Sequence, residues 1–352
     1  MYLVLGLAFG NAAALTMEEP IDRLFASFVK QFVQEGDVRY ATVEGRLERR
    51  AAFAENVRKV RDLNARDRHA TYSVMVQWAD LTDVELAVRH GSGMQRPHMV
   101  CQPTTSPPYA PLPGLSPTAV PKPSLDYVEL GATVPVKNQG NCSSCWAHSV
   151  IAAVEGRLKL DSGRTMPLSE QFIMDCDTNR VLKGCGGGLA ERVFQWLTKP
   201  GKKAVGIANA AQYPYVSASG IDPTSGKCNK AVPRVAQIHG FGKVNGDSQS
   251  MLAAATEYGV LSVCMDVTPL HFYKSGIITK PQCGETSNHC VAIVGYGTDN
   301  GQDYWKVRNS YGTQFGEEGY FRIERSSGGE AAPCGMSGCV LAVTGANFTT
   351  TG

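Results

Sequence analysis

Apolar residues between 17 and 90 recur at helical spacing. Ile21, Leu24, Phe25, Phe28, Phe32 and Val33 follow the i, i+3/i+4 rule. From Glu44 to Asn64, Leu47, Phe53, Val57, Val60 and Leu63 fall on one face among many charges. Two amphipathic helices are predicted. The period stops between 91 and 123, where prolines at 97, 103, 107, 108, 111, 113, 117, 121 and 123 exclude a regular helix or a central strand and mark a linker. A different pattern begins at Leu125. Val150, Ile151, Val154 and Leu158 line one face of a helix that starts at Cys145 and is ended by Asp161-Ser162-Gly163. Farther on, HCVAIVGYG, DYWKVRNS and GYFRIER are alternating or wholly apolar runs punctuated by glycine, and read as strands. Helices first and strands later predict an α+β architecture with a cleft between two layers. No internal repeat is visible.

Composition changes this picture in one respect. The 352 residues are 43% apolar and 19% charged with a net charge of +2, so a sizeable core is expected and neither a nucleic-acid footprint nor an acidic tail is. Eleven cysteines suggest metal sites in a reducing compartment, or bridges with one odd thiol in an oxidising one. The N-terminus favours the second. Tyr2–Gly10 is a short apolar run followed by Asn11-Ala12-Ala13-Ala14, where Ala12-x-Ala14 fits a signal-peptidase cut. Residues 1–16 therefore read as a signal peptide, although no Lys or Arg precedes the apolar run. No other stretch approaches the roughly 18 unbroken apolar residues of a membrane span, so a soluble protein with no membrane partner is expected.

Against that background, QGNCSSCWAHS (Gln139–Ser149) has three readings. Cys142-x2-Cys145 has the spacing of half a zinc site, but no second CxxC or HxxxH pair completes it. A redox pair would need a flanking strand pattern that is missing. The third reading makes Cys145 a nucleophile at the start of a helix, where the positive dipole end favours a thiolate. It then needs a base, a group to orient that base, and donors for an oxyanion. Of seven histidines, His289 heads an apolar strand, where a polar side chain needs a reason. Asn309, in VRNSYGTQFGEEGY, can orient its ring. Gln139, six residues before Cys145, can donate to the oxyanion.

These motifs resemble those of the papain-like cysteine peptidases, of the cathepsin L-like type. QGNCSSCWAHS is similar to that family's nucleophile loop, with Ser143 in place of its glycine. His289 follows Cys145 by 144 residues, within the family interval of roughly 130–150, and Asn309 by 164, slightly beyond it. The resemblance, from about Asp126 to Val343, implies Cys145 as nucleophile, His289 as base and acid, Asn309 as the ring-orienting amide and Gln139 as oxyanion donor. It implies a two-lobed fold with a helical left lobe and a β-barrel-like right lobe, and no cofactor or metal. Arg49, Phe53, Asn56, Val60 and Asn64 sit at the spacings of the family's inhibitory prosegment motif. Position 45 is Gly where a leading Glu is usual. Trp78 and Asp80 resemble a second prosegment block, with Val76 where Asn is usual. The expected organisation is 1–16 signal peptide, 17–90 inhibitory prosegment, 91–123 linker with the maturation site, and 124–352 peptidase domain. The product is a secreted or lysosomal/vacuolar monomeric endopeptidase, made as a zymogen. Its partners are its own prosegment and peptide substrates. The family's His-His insertion for carboxydipeptidase action is absent.

By the same resemblance, bridges join Cys142 to Cys185, Cys176 to Cys228 and Cys283 to Cys334, and Cys101 lies in the linker. Cys264, Cys290 and Cys339 read as small buried residues, with a fourth bridge from Cys264 to Cys339 as the alternative. Cys264, Cys339, Leu189, Ala190 and Ser287 fall on the positions that line the S2 pocket, with Asn288 beside them. Gly187-Gly188 offer backbone to the substrate strand. With no acidic residue at 339, an apolar P2 side chain is expected. Tyr311 and Phe315 stand where the family commonly has Trp, and Tyr127 also replaces a Trp. His148 stands where Phe is usual, as a half-buried packing residue or a second titrating group. Asn141-Cys142-Ser143 and Asn347-Phe348-Thr349 match the glycosylation sequon, and the second is the more plausible acceptor.

Overall fold

Both helices predicted before residue 90 form, as α1 (Ile21–Phe32) and α2 (Val43–Arg66). A computed structural model describes residues 16–89, 112, 122–177, 184–198, 204–220 and 227–349. All but Thr16 of the expected signal peptide, nearly all of the 91–123 linker and Cys101 lie outside those residues. The chain divides into two units: Met1–Arg66 with Tyr72–Thr82, and Asp67–Thr71 with Asp83–Gly352.

In the first unit the motif residues of α2 hold the segment that follows it. Asn56 Nδ2 donates to Ala79 O at 2.9 Å and to Leu81 O at 2.8 Å, and an Arg49 guanidinium nitrogen donates to Asp80 O at 3.1 Å. Asn64 pairs with Tyr72 through both its amide groups, at 2.9 and 2.8 Å. Phe53 packs between Phe25 and Phe28, with ring centroids 5.3 and 5.1 Å away. These residues recur every three or four positions, so one buried stripe runs down α2 and carries polar anchors among its apolar knobs. Gly45 heads the stripe. A Cβ there would lie 2.4 Å from Arg39 O, so only glycine lets the preceding turn (Val38–Tyr40) approach the helix. Leu47, expected on the apolar face, is 61% exposed. It lies two residues from both Gly45 and Arg49, which turns it to the opposite side of a helix advancing about 100° per residue. Asp80 is fully buried and accepts from the Tyr40 hydroxyl at 2.9 Å, with Arg39 at 3.2 Å. Helix α3 (Asp83–Arg89) and all but Tyr72 of the short strand β1 (Ala70–Tyr72) belong to the second unit.

In the second unit, α4 (Cys145–Ser162) is surrounded by protein and buries Trp146, Val150, Ile151, Val154 and Leu158. Two strands, β7 (His289–Asp299) and β10 (Val340–Phe348), and helices α5 (Glu170–Cys176) and α6 (Ala190–Thr198) pack against it. It ends at Gly163, whose φ of 72° is left-handed and closes a bond from Gly163 N–H to Lys159 O. Ser169 caps α5 by accepting from Phe172 N–H. Helix α7 (Ser248–Tyr258) is capped in the same way by Asp247.

The remaining strands are β2 (Leu125–Asp126), β3 (Ile207–Ala208), β4 (Arg234–Lys243), β5 (Leu261–Met265), β6 (Tyr273–Ile278), β8 (Gln302–Arg308) and β9 (Tyr320–Glu324). They run in the order β6-β9-β8-β7-β5-β10-β4-β3, with β2 on β7. The β6–β9 pair is parallel and the other pairs are antiparallel. The α+β expectation is met, but the sheet is an open path rather than a closed barrel. Strand β7 is flanked by β5 and β8 and covered by α4, which explains why HCVAIVGYG is apolar throughout. Its first residue is His289.

Candidate active site

Cys145 is the first residue of α4, after Ser144. It is the free cysteine among the described residues, and it is buried. Burial pushes its thiol pKa up. The backbone N–H groups of Cys290, Trp146 and Cys145 itself point the other way, each able to donate to a thiolate. Two of these donors belong to the helix N-terminus, where N–H groups have no helical partner. The third comes from β7, one residue after His289, so Cys145 is held between the first turn of α4 and the head of β7.

His289 is fully buried. Its Nε2 lies 2.9 Å from Asn309 Oδ1, and the same oxygen accepts from Ser310 N–H at 2.8 Å. An oxygen that already accepts from a backbone N–H accepts from the ring as well, so Nε2 carries the proton. Nδ1 then keeps its lone pair and has no hydrogen-bond partner. Tyr311 stacks on the imidazole, with centroids 5.0 Å apart, and Phe315 stands perpendicular to Tyr311 at 5.5 Å. Tyr311, which stands where the family commonly has Trp, thus covers the ring as an aromatic. Burial lowers the His289 pKa to about 4, although the Asn309 bond works to raise it. Burial thus works against the charged form of each group, and with Nε2 bound to Asn309 it is Nδ1 that keeps a free lone pair.

Gln139 is buried, with its backbone N–H donating to Ser310 O at 2.8 Å. Its Nε2 donates to Cys142 O at 2.8 Å, and its Oε1 accepts from Ser310 Oγ at 2.5 Å. A primary amide has two N–H groups, so Cys142 O uses one of the pair. Sequence reasoning missed the ion cluster beneath this floor. Lys137 Nζ binds Glu155 Oε1 at 2.9 Å, Glu170 Oε1 at 2.6 Å and Leu168 O at 2.8 Å, and Arg308 lies 3.6 Å from Glu155. Burial alone would lower the Lys137 pKa, but the two carboxylates raise it. No local spacing announces a cluster assembled from residues 137, 155, 170 and 308.

The three bridges implied by the resemblance are present: Cys142–Cys185, Cys176–Cys228 and Cys283–Cys334. The first ties the nucleophile loop to the turn before Gly187 and Gly188. The reading of Cys264, Cys290 and Cys339 as free buried residues is corrected. Cys264 is bridged to Cys290, not to Cys339, and Cys339 is disulfide-bonded too. The reason is register: Cys264 and Cys290 are directly opposed on β5 and β7, with Cα atoms 4.0 Å apart. Cys264 N–H turns away to Cys339 O, so the opposed pair lacks mutual ladder bonds and its side chains approach closely. Ala190, Ser287, Cys264 and Cys339 are buried and Leu189 is half-buried. Asn288 Oδ1 accepts from Val267 N–H. His148 is 7% exposed, more buried than expected, and its Nδ1 bonds Ser144 O at 3.0 Å. Asn347 lies within β10, its Oδ1 already bonded to His239 Nε2 at 2.7 Å.

The family profile described as Papain family cysteine protease matches residues 121–344, more than half of the chain, and the Cathepsin propeptide inhibitor domain (I29) profile matches residues 30–86. Cysteine proteinase COT44 of Brassica napus is 41% identical over 218 residues, which are 61% of this chain but only 63% of that relative. The senescence-specific cysteine protease SAG12 of Arabidopsis thaliana is 31% identical over 346 residues, 96% of each. Among solved structures, a recombinant stem bromelain precursor superposes with a TM-score of 0.75 at 30% identity, covering 93% of this chain and 99% of the other. The chain belongs to the papain family of cysteine proteases, with a cathepsin-type propeptide inhibitor domain ahead of the protease domain.

Proposed function

We propose that this chain is the zymogen of a cysteine endopeptidase that cleaves through an acyl-enzyme on Cys145, His289 and Asn309. One observation carries the reading: the free cysteine sits at a helix N-terminus beside the strand whose head is His289, and that imidazole has Nε2 bound to Asn309 and Nδ1 unpartnered. Proton transfer from Cys145 Sγ to His289 Nδ1 creates the thiolate and an imidazolium. The thiolate attacks the peptide carbonyl carbon, and the second N–H of Gln139 with the Cys145 N–H stabilises the oxyanion. As the intermediate collapses, the C–N bond breaks, and the imidazolium gives its proton to the leaving amine. The neutral ring then takes a proton from water, whose oxygen attacks the thioester and releases the acid and Cys145.

The inhibitor-domain match and the likeness to enzyme precursors support residues 17–90 as the chain's own inhibitor, removed by a cut in the linker. Gly187 and Gly188 pair with substrate backbone. Leu189, Ala190, Ser287, Asn288, Cys264 and Cys339 shape the P2 pocket, which takes medium apolar side chains because none of these residues is acidic. The cysteines and the N-terminal run support the secretory route, ending outside the cell or in a lysosome or vacuole. No described helix is long and apolar enough to cross a membrane.

Acid activation, labelling with an epoxide-type thiol trap and peptide mapping test the assignment. Label is expected on Cys145, and label on any other residue overturns it. A panel of dipeptide-fluorophore substrates tests the pocket: P2 Leu or Val is expected to outrank P2 Arg, and the reverse order refutes it.

A further inference from the structure

Ser144 and Cys145 share a peptide group with two faces. Its N–H is that of Cys145, one of the donors at the nucleophile. Its carbonyl accepts the helical bond from His148 N–H at 3.2 Å, a bond from Ala147 N–H at 2.9 Å, and a further bond from the His148 ring, Nδ1 lying 3.0 Å away. A carbonyl oxygen only accepts, so Nδ1 is protonated whether the ring is neutral or charged. Hydrogen bonds in a chain polarise one another. Donation to a peptide carbonyl draws electrons from the nitrogen and makes its N–H a stronger donor.

We propose that His148 is a positioning residue of this enzyme: its ring N–H holds and polarises the Ser144–Cys145 peptide and so strengthens the Cys145 N–H as oxyanion donor. This rests on the assignment of Cys145 N–H and Gln139 to the oxyanion. A second contact ties the other donor to the same cluster. The Tyr215 hydroxyl lies 2.8 Å from Ser144 Oγ and donates to Gln139 O at 2.9 Å, and its ring meets the His148 ring edge-on with centroids 5.2 Å apart. His148, Ser144 and Tyr215 thus link the Ser144–Cys145 peptide to the backbone of Gln139, whose side-chain amide is held separately by Cys142 O and Ser310 Oγ. The groups that line the cavity beside His148 are Lys137, Glu155, Glu170, Arg308 and Asn309. Burial lowers the pKa of the ring against the pull of Glu170. The Nδ1–H bond is made in either protonation state, so the device does not depend on titration.

The test uses the full chain, acid-activated, with kcat and KM measured on one peptide substrate for wild type, His148→Phe and His148→Asn. The contact is made to a transition-state donor. His148→Phe should therefore lower kcat by about tenfold with KM unchanged, less than the roughly hundredfold or more of removing a donor outright. His148→Asn, whose amide N–H reaches the Ser144 carbonyl, should recover most of the lost kcat. Stoichiometric thiol-trap labelling of Cys145 certifies that each variant is folded. Wild-type kcat in His148→Phe overturns the proposal, as does equal loss in both variants. If His148→Phe does not fold, Tyr215→Phe takes its place: reduced kcat at unchanged KM supports the cluster, and unchanged kcat overturns it. Gln139→Ala separates the two levels. Loss of kcat there with none in His148→Phe sinks this inference alone. No loss in Gln139→Ala sinks the oxyanion assignment and this inference with it.

Discussion

Asn309 Oδ1 accepts from the His289 ring at 2.9 Å and from the Ser310 backbone at 2.8 Å, so one oxygen sets both the tautomer and the direction of the imidazole proposed as the catalytic base. Without it the ring is free to rotate or to place its proton on Nδ1, where it can no longer take one from sulfur. Asn309→Ala should lower kcat on the order of a hundredfold, the scale of a small misplacement of a reacting group, with little change in KM. Steady-state kinetics on the activated enzyme check this, and a loss confined to KM would contradict it.

The same imidazole makes folding pH-dependent. Burial lowers its pKa to about 4, against an ordinary value of 6.5. Between those values the unfolded chain binds a proton that the folded chain does not. Stability contributed by keeping the ring neutral is therefore present above pH 6.5 and lost as pH falls towards 4, by on the order of 3 kcal/mol. His148 is shifted in the same direction by burial and adds to the loss. Thermal melts of the Cys145→Ala chain, which cannot digest itself, should show Tm falling across this window. Adding His289→Gln should flatten the fall, and identical slopes in the two chains would refute the account.

Lys137 compensates two buried carboxylates at once. Lys137→Met leaves Glu170 buried without its cation and Glu155 with only Arg308, 3.6 Å away, and is expected to cost about 3–5 kcal/mol. Lys137→Met with Glu170→Gln removes that ion pair together and leaves Glu155 with Arg308, so it should cost less than the single change. Urea unfolding of both variants in the Cys145→Ala background decides the order.

Two positions of α2 test the first unit. Gly45→Glu installs the residue usual in the family's prosegment motif, but its Cβ would meet Arg39 O at 2.4 Å. Overpacking of this kind costs about 1–3 kcal/mol, so the substitution should lower Tm rather than raise it. Asn56→Ala strips Ala79 O and Leu81 O of a shared donor. Amide exchange in residues 76–82 should speed up while that of β7 is unchanged. Equal protection in the variant and the parent would show that the two bonds do not hold the segment.

Elements with a strong period were legible in advance. The apolar faces of α1 and α4 and the unbroken run of β7 form where the alternation of residues predicts, because each is a local signal read over one or two turns. Leu47 shows the limit: the sequence marks it as apolar, but the neighbour that would cover it depends on how Gly45 meets Arg39. The Cys264–Cys290 bridge shows another. Register places these residues opposite one another, and register is a property of two strands 26 positions apart in sequence.

The sequence by itself determined the chemistry available: a thiol beside two serines at the start of a helix, an imidazole at the head of an apolar strand, an amide to hold it, and cysteines enough to staple the loops. Those follow from residue type and spacing, which are written in the chain. Tertiary structure decided which nitrogen of His289 keeps a free lone pair, which cysteines pair, and which charges lie beside them. It also set the packing of the Ser144 peptide against His148. Each depends on distances of a few ångströms between residues far apart in the chain, and only packing sets such distances.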